Sequence, residues 1–126
     1  MTDLASSSTE RAVPAGARWQ RVCPVDGLTP DRGVAALVDG RQVALFRLST
    51  TGELAAIDNR DPFSGAHVLA RGIVGDVDGV PKVASPVYKQ AFDLRTGRCL
   101  DDADVAIAVH ATRVVDGWIE VEVASP

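Results

Sequence analysis

Apolar positions along this chain fall in short runs separated by Asp-Gly or Thr-Gly pairs, with no sustained recurrence at helical spacing. Asp and Gly tolerate the positive φ angles of two-residue hairpin turns, so the pattern predicts an all-β chain. The clearest hairpin pairs 33–38 with 41–48 across Asp39-Gly40. A second turn at Thr51-Gly52 leads into a strand over 53–58, and a third hairpin joins 112–115 to 118–123 across Asp116-Gly117. Along that last strand Ile119, Val121 and Val123 share one side, while Trp118, Glu120 and Glu122 share the other. Period-two alternation predicts one buried face and one wet face.

Between 59 and 100 the pattern loosens. Pro62, Pro81 and Pro86 read as loops or edge strands, because proline removes a ladder donor. Gly65, Gly72 and Gly75 read as turn residues ahead of the Asp78-Gly79 pair, and the single helix candidate is a short turn over 64–69. Residues 1–17 are small and polar without periodicity, which predicts a disordered N-terminal tail ahead of one β domain over 18–126. There is no internal repeat.

Composition narrows the function classes. The chain has 126 residues, 46% of them hydrophobic, and a formal charge of −4. That length supports a core without metal or disulfide. An acidic balance gives no basic stripe for a phosphate backbone, so no nucleic-acid partner is expected. No apolar run is long enough to span a bilayer, and the opening Met1-Thr2-Asp3-Leu4 lacks a signal-peptide pattern, so a soluble cytoplasmic protein without a membrane partner is expected. Cys23 and Cys99 are expected to be free thiols of a reducing compartment.

Candidate chemistry is sparse. No serine lies in a nucleophile motif, and Gly72-Ile73-Val74-Gly75 is neither a dinucleotide fingerprint nor a Walker loop, so no catalytic residue is assigned. Cys23, His67, Cys99 and His110 match the count for a two-iron cluster held by two thiolates and two imidazoles, yet they form no close pairs. Neither a cofactor site nor a metal site is expected in this chain.

Two stretches carry a resemblance. The segment from Leu54 to Gly72, with Asp61-Pro62-Phe63 at its centre, resembles the first cluster loop of Rieske-type ferredoxins. The segment from Ser85 to Leu100 resembles the second, with Ser85-Pro86-Val87-Tyr88 followed by Phe92-Asp93 and Thr96-Gly97. In that family the loops read Cys-Pro-His and Cys-Pro-x-His. Here Asp61 and Ser85 stand at the cysteine positions, and Phe63 and Tyr88 at the histidine positions. With the opening 19–28, the likeness spans about 18–123 and is similar to the small subunits of NAD(P)H-dependent assimilatory nitrite reductases. It implies a Rieske-like antiparallel β-sandwich or barrel with a small two-loop subdomain and no cluster ligands.

Carboxylate and hydroxyl oxygens are hard donors, and a phenyl ring offers none, so these positions do not suit an iron–sulfur core. Phe63 and Tyr88 are expected to fill the space between the loop tips. Where the tips meet, Ser85 or Tyr88 is expected to donate a hydrogen bond to Asp61, since a buried carboxylate needs partners.

The resemblance implies a non-catalytic subunit supporting a large subunit that carries sirohaem, an iron–sulfur cluster and FAD and reduces nitrite to ammonia with NADH or NADPH. The expected contact surface is Asp61, Phe63, His67, Tyr88, Lys89 and Gln90, because exposed aromatics anchor interfaces. Trp19 and Trp118 are expected to pack in the core or on a sheet face rather than to form a binding site. Two alternatives stay open: a free-standing interaction module or regulator for another oxidoreductase, and an electron-transfer ferredoxin with unusual ligands.

Overall fold

The computed structural model describes residues 19–123, so the expected tail over 1–17 lies outside the described residues. The strands are β1 (Trp19–Pro24), β2 (Val34–Val38), β3 (Arg41–Arg47), β4 (Leu54–Asp58), β5 (Ile73–Val77), β6 (Val80–Ala84), β7 (Ala91–Asp93), β8 (Val109–Val115) and β9 (Trp118–Glu122). Single 3-10 turns occupy Val25–Gly27 and Leu69–Arg71. The turns Asp39-Gly40, Asp78-Gly79 and Asp116-Gly117 each hold two consecutive positive φ angles. Their twist matches that of paired strands, and they join β2 to β3, β5 to β6 and β8 to β9.

Among the described residues, six strands form an antiparallel sheet in the order β1-β9-β8-β4-β3-β2, and three more form a second sheet, β5-β6-β7. The larger sheet curls into a near-barrel. At its seam the Gln20 side chain ties β1 to β2: Asp39 N–H donates to Gln20 Oε1 at 3.1 Å, and Gln20 Nε2 donates to the Leu37 carbonyl at 3.4 Å.

Four consecutive residues of β3, Val43 to Phe46, are fully buried because each face of that strand meets a different core. Val43 and Leu45 join Leu28, Val38, Ala56, Ile119 and Val121 inside the barrel. Ala44 and Phe46 join Ile57, Leu69, Val83, Phe92 and Leu94, which fix the small sheet against the barrel. A central strand covered on both faces reads as a continuous apolar run rather than an alternation.

Four local expectations are corrected. The helix candidate over 64–69 is instead a turn at 62–64 and the 3-10 turn Leu69–Arg71, separated by Gly65 at φ +78°. Gly75 lies within β5 opposite Lys82 rather than in a turn. Pro81 lies in β6, the middle strand of the small sheet. Its missing donor falls where β7 has ended, and its carbonyl still accepts the Leu94 N–H at 2.9 Å. Finally, the expected wet face of β9 is covered at its centre. Glu120 is buried and paired with Arg113 at 2.6 Å, while Arg113 stacks over Trp19 and Arg21 over Trp118, at 4.3 and 5.0 Å from the ring centroids. Arg21 on β1 and Arg113 on β8 lie opposite Glu120, each with its guanidinium stacked on an indole ring.

Candidate functional site

Two loops project from the small sheet, one between β4 and β5 and one between β6 and β7. Asn59 anchors the foot of the first: its carbonyl accepts the Leu69 N–H at 3.0 Å and its Oδ1 accepts the Ala70 N–H at 2.8 Å. At the tip, Asp61 N–H donates to the Ala66 carbonyl at 2.8 Å, and the Asp61 carbonyl accepts the Gly65 N–H at 2.7 Å. The second loop closes on itself through Ser85 N–H to the Gln90 carbonyl at 2.9 Å and Val87 N–H to Ser85 Oγ at 3.2 Å.

The tips meet at one buried contact. Ser85 Oγ donates to Asp61 Oδ2 at 2.6 Å, and Asp61 Oδ1 accepts the Phe63 N–H at 2.9 Å. Both Asp61 and Ser85 are buried, at 0% and 2% exposure. Burial pushes the Asp61 carboxyl up, but the Ser85 hydroxyl, then the Phe63 N–H and the Ser64 donors, outweigh it and hold the group below the ordinary aspartate range. The expected Ser85 to Asp61 bond is therefore present.

The two aromatic positions part company. Phe63 is half-buried and turns inward, its ring 6.2 Å from that of Phe92. Tyr88 is 61% exposed, so it does not fill the space between the tips. Ser85 and Asp61 meet directly there. Tyr88 projects from the second tip beside exposed Val87 and Lys89, the latter at φ +67°. Asp61, expected at the contact surface, is sealed from solvent and acts between the loops. His67 is exposed, and Gln90 is half-buried with an Oε1 that has no partner among the described residues. Val87, which the sequence reading passed over, was marked by its place between Pro86 and Tyr88 in a turn.

The other candidate ligands lie apart. Cys23 and Cys99 are free thiols in separate cores, and burial raises the Cys23 thiol above its ordinary value. His110 is buried against Asp58, with Nε2 2.9 Å from Oδ1, and Arg41 Nη2 donates to Asp58 Oδ2 at 2.7 Å. A Rieske cluster takes two thiolates and two imidazoles. At the four corresponding positions here stand a carboxylate and a hydroxyl bonded to each other, an inward phenyl ring and an outward phenol. That donor set does not fit the cluster.

The family model described as a Rieske-like [2Fe-2S] domain matches residues 18–122. The nitrite reductase (NADH) small subunit of Salmonella typhimurium is 41% identical over 103 residues, covering 82% of this chain and 95% of that protein. A crystal structure from Mycobacterium tuberculosis, provisionally assigned as an NADH-dependent nitrite reductase small subunit, is 49% identical with a TM-score of 0.83, covering 87% of this chain and 98% of that one. A stretch of the nitrite reductase [NAD(P)H] large subunit of Klebsiella oxytoca is also 40% identical over 103 residues, 80% of this chain but 11% of that protein. By fold, by the frame of its two loops and by these relatives, the chain belongs to the Rieske-like domain family as a nitrite reductase small-subunit homologue.

Proposed function

We propose that this chain is a non-catalytic subunit that binds and supports the large subunit of a cytoplasmic nicotinamide-dependent nitrite reductase, which reduces nitrite to ammonia. The observation that carries this reading is the Klebsiella oxytoca large subunit, whose own sequence includes a stretch homologous to this chain. A module that occurs both as a separate small subunit and within the large chain works beside that chain in either arrangement. The redox groups, sirohaem, an iron–sulfur cluster and FAD, belong to the large subunit in this proposal. This chain contributes a surface.

The contact surface is the loop-tip end, with Tyr88 as its anchor and Phe63, His67, Lys89 and Gln90 around it. Tyr88 and Val87 are exposed there, and an exposed aromatic beside a flexible cation suits an interface centre with a polar rim. Asp61 and Ser85 act behind that surface by fixing the relative position of the tips. The test is co-purification of the tagged full chain from its native host, with nitrite reduction measured on the eluate. Recovery of a sirohaem-containing large subunit is expected, with Tyr88→Ala lowering recovery while the protein stays folded. A folded chain that recovers no such subunit would refute the reading.

A further inference from the structure

Among the described residues the small sheet leaves one strand edge open. β1 and β2 are tied by Gln20, and the outer side of β7 is covered by the bridge from Phe92 to Cys99 and by Leu100 N–H donating to the Ala91 carbonyl at 2.8 Å. Among the described residues, β5 is paired only with β6. Val77 and Val80 flank the Asp78-Gly79 turn and therefore form a hydrogen-bonded pair. Alternation then directs the backbone groups of Ile73, Gly75 and Val77 toward β6, and those of Val74 and Asp76 outward. Beside this open edge the Ile73 side chain is 75% exposed and that of Val77 44%.

We propose that β5 pairs antiparallel with β5 of a second copy of this chain, about a twofold axis through Gly75. In that register Val74 of each copy faces Asp76 of the other, and the outward groups form four N–H···O bonds. Gly75 faces itself as a close, non-hydrogen-bonded pair, where the absence of a side chain suits the approach. Ile73 faces Val77 of the second copy twice, covering both exposed apolar side chains. At each end exposed Arg71 reaches the turn carrying Asp78 of the other copy, which makes the charges complementary. The competing registers are poorer. Slipping by one residue sets outward groups against groups already bonded to β6. Slipping by two places Asp76 against itself in one direction, and separates Ile73 from Val77 in the other.

Two five-residue edges lie at the low end of interface sizes, below about 1,200 Å², so the dimer is concentration-dependent. The inference concerns the isolated chain and does not rest on the proposed large-subunit partner. Its test is sedimentation velocity of the full chain from about 10 μM to about 1 mM, the range of weak association, with amide hydrogen exchange at both ends. The expected result is a rise toward twice the monomer mass, with the Val74 and Asp76 amides becoming protected as concentration rises. Asp76→Pro removes an outward donor, and Ile73→Asp sets a carboxylate against the apolar pair. Each is expected to weaken association at least about tenfold in a folded chain. A wild type that stays monomeric throughout would overturn the proposal, as would dimers whose Val74 and Asp76 amides exchange freely, or dimerisation unaffected by both variants. Protection independent of concentration would assign the edge to the same chain and overturn it equally.

Discussion

Replacing Ser85 with alanine tests the contact that holds the two loop tips together. The substitution removes one hydroxyl and leaves Asp61 Oδ2, in a fully buried residue, without the donor now 2.6 Å away. A hydrogen bond to a charged group contributes about 1.5–3 kcal/mol, and a buried acceptor stripped of its donor costs its desolvation as well. Ser85→Ala should therefore destabilise the fold by about 3 kcal/mol at neutral pH, a Tm loss of roughly 10–20 °C for a domain of this size. Urea unfolding followed by tryptophan fluorescence measures it. A cycle with Asp61→Ala and the double variant isolates the pair, with an expected coupling of at least about 1.5 kcal/mol. A Ser85→Ala cost below about 0.5 kcal/mol, or a coupling near zero, would refute the reasoning, since ordinary surface substitutions reach that size.

The same contact has a pH signature. The folded Asp61 carboxyl sits below its ordinary value of 3.8, so its stabilisation is complete above that value and is lost as pH falls through the lower folded pKa. The gap between wild type and Ser85→Ala should thus be widest at neutral pH and narrow below about pH 4. Asp61→Asn keeps a hydrogen-bonding side chain but no ionisable group. It should flatten the part of the acid limb that Asp61 contributes.

Three further outcomes are expected. Gly97→Ala should cost at least about 2 kcal/mol in urea unfolding, because Gly97 holds φ +80° and an added Cβ would lie 2.1 Å from the Ile107 carbonyl oxygen. Glu120→Ala should lower stability by about 1–2 kcal/mol, measured the same way, because it removes the acceptor that Arg113 Nε reaches at 2.7 Å and loosens the cover over Trp19. Tyr88→Ala should change unfolding stability by less than about 0.5 kcal/mol, while reducing large-subunit capture in a pull-down.

The Asp-Gly hairpins were legible because turn chemistry is local: a dipeptide that takes positive φ announces the reversal whatever the rest of the chain does. The β9 alternation was legible in direction but not in cover. Glu120 is paired with Arg113 on β8 and lies opposite Arg21 on β1, about a hundred residues away in sequence, whose guanidinium stacks over Trp118. Pro81 was misplaced for a related reason. A proline is costly in a strand only where its missing donor would have had a partner, and the rung beyond the end of β7 lacks a full strand to supply one. At the site, the frame of the two loops brought Asp61 and Ser85 together across 24 residues. Nothing in the residues of an irregular loop fixed which way Tyr88 points.

The direction of Tyr88 follows from how each loop is held. Asn59 fastens the foot of the first loop, and the Ser85 N–H to Gln90 carbonyl bond closes the second, so each loop is held by bonds of its own besides the tip contact. The remaining freedom is the position of one tip against the other, and the Ser85 hydroxyl on Asp61 removes it. Beside that contact Phe63 takes the inward side against Phe92, and Tyr88 lies on the surface. In a cluster-bearing relative, metal ligation would impose the same tip-to-tip constraint from four side chains. Here one short hydrogen bond imposes it, and the side chains at the other two positions are released, one to the core and one to solvent. Two kinds of defect should therefore separate cleanly. Ser85→Ala should lower both stability and large-subunit capture, because it frees the tip that carries Tyr88, whereas Tyr88→Ala should lower capture alone.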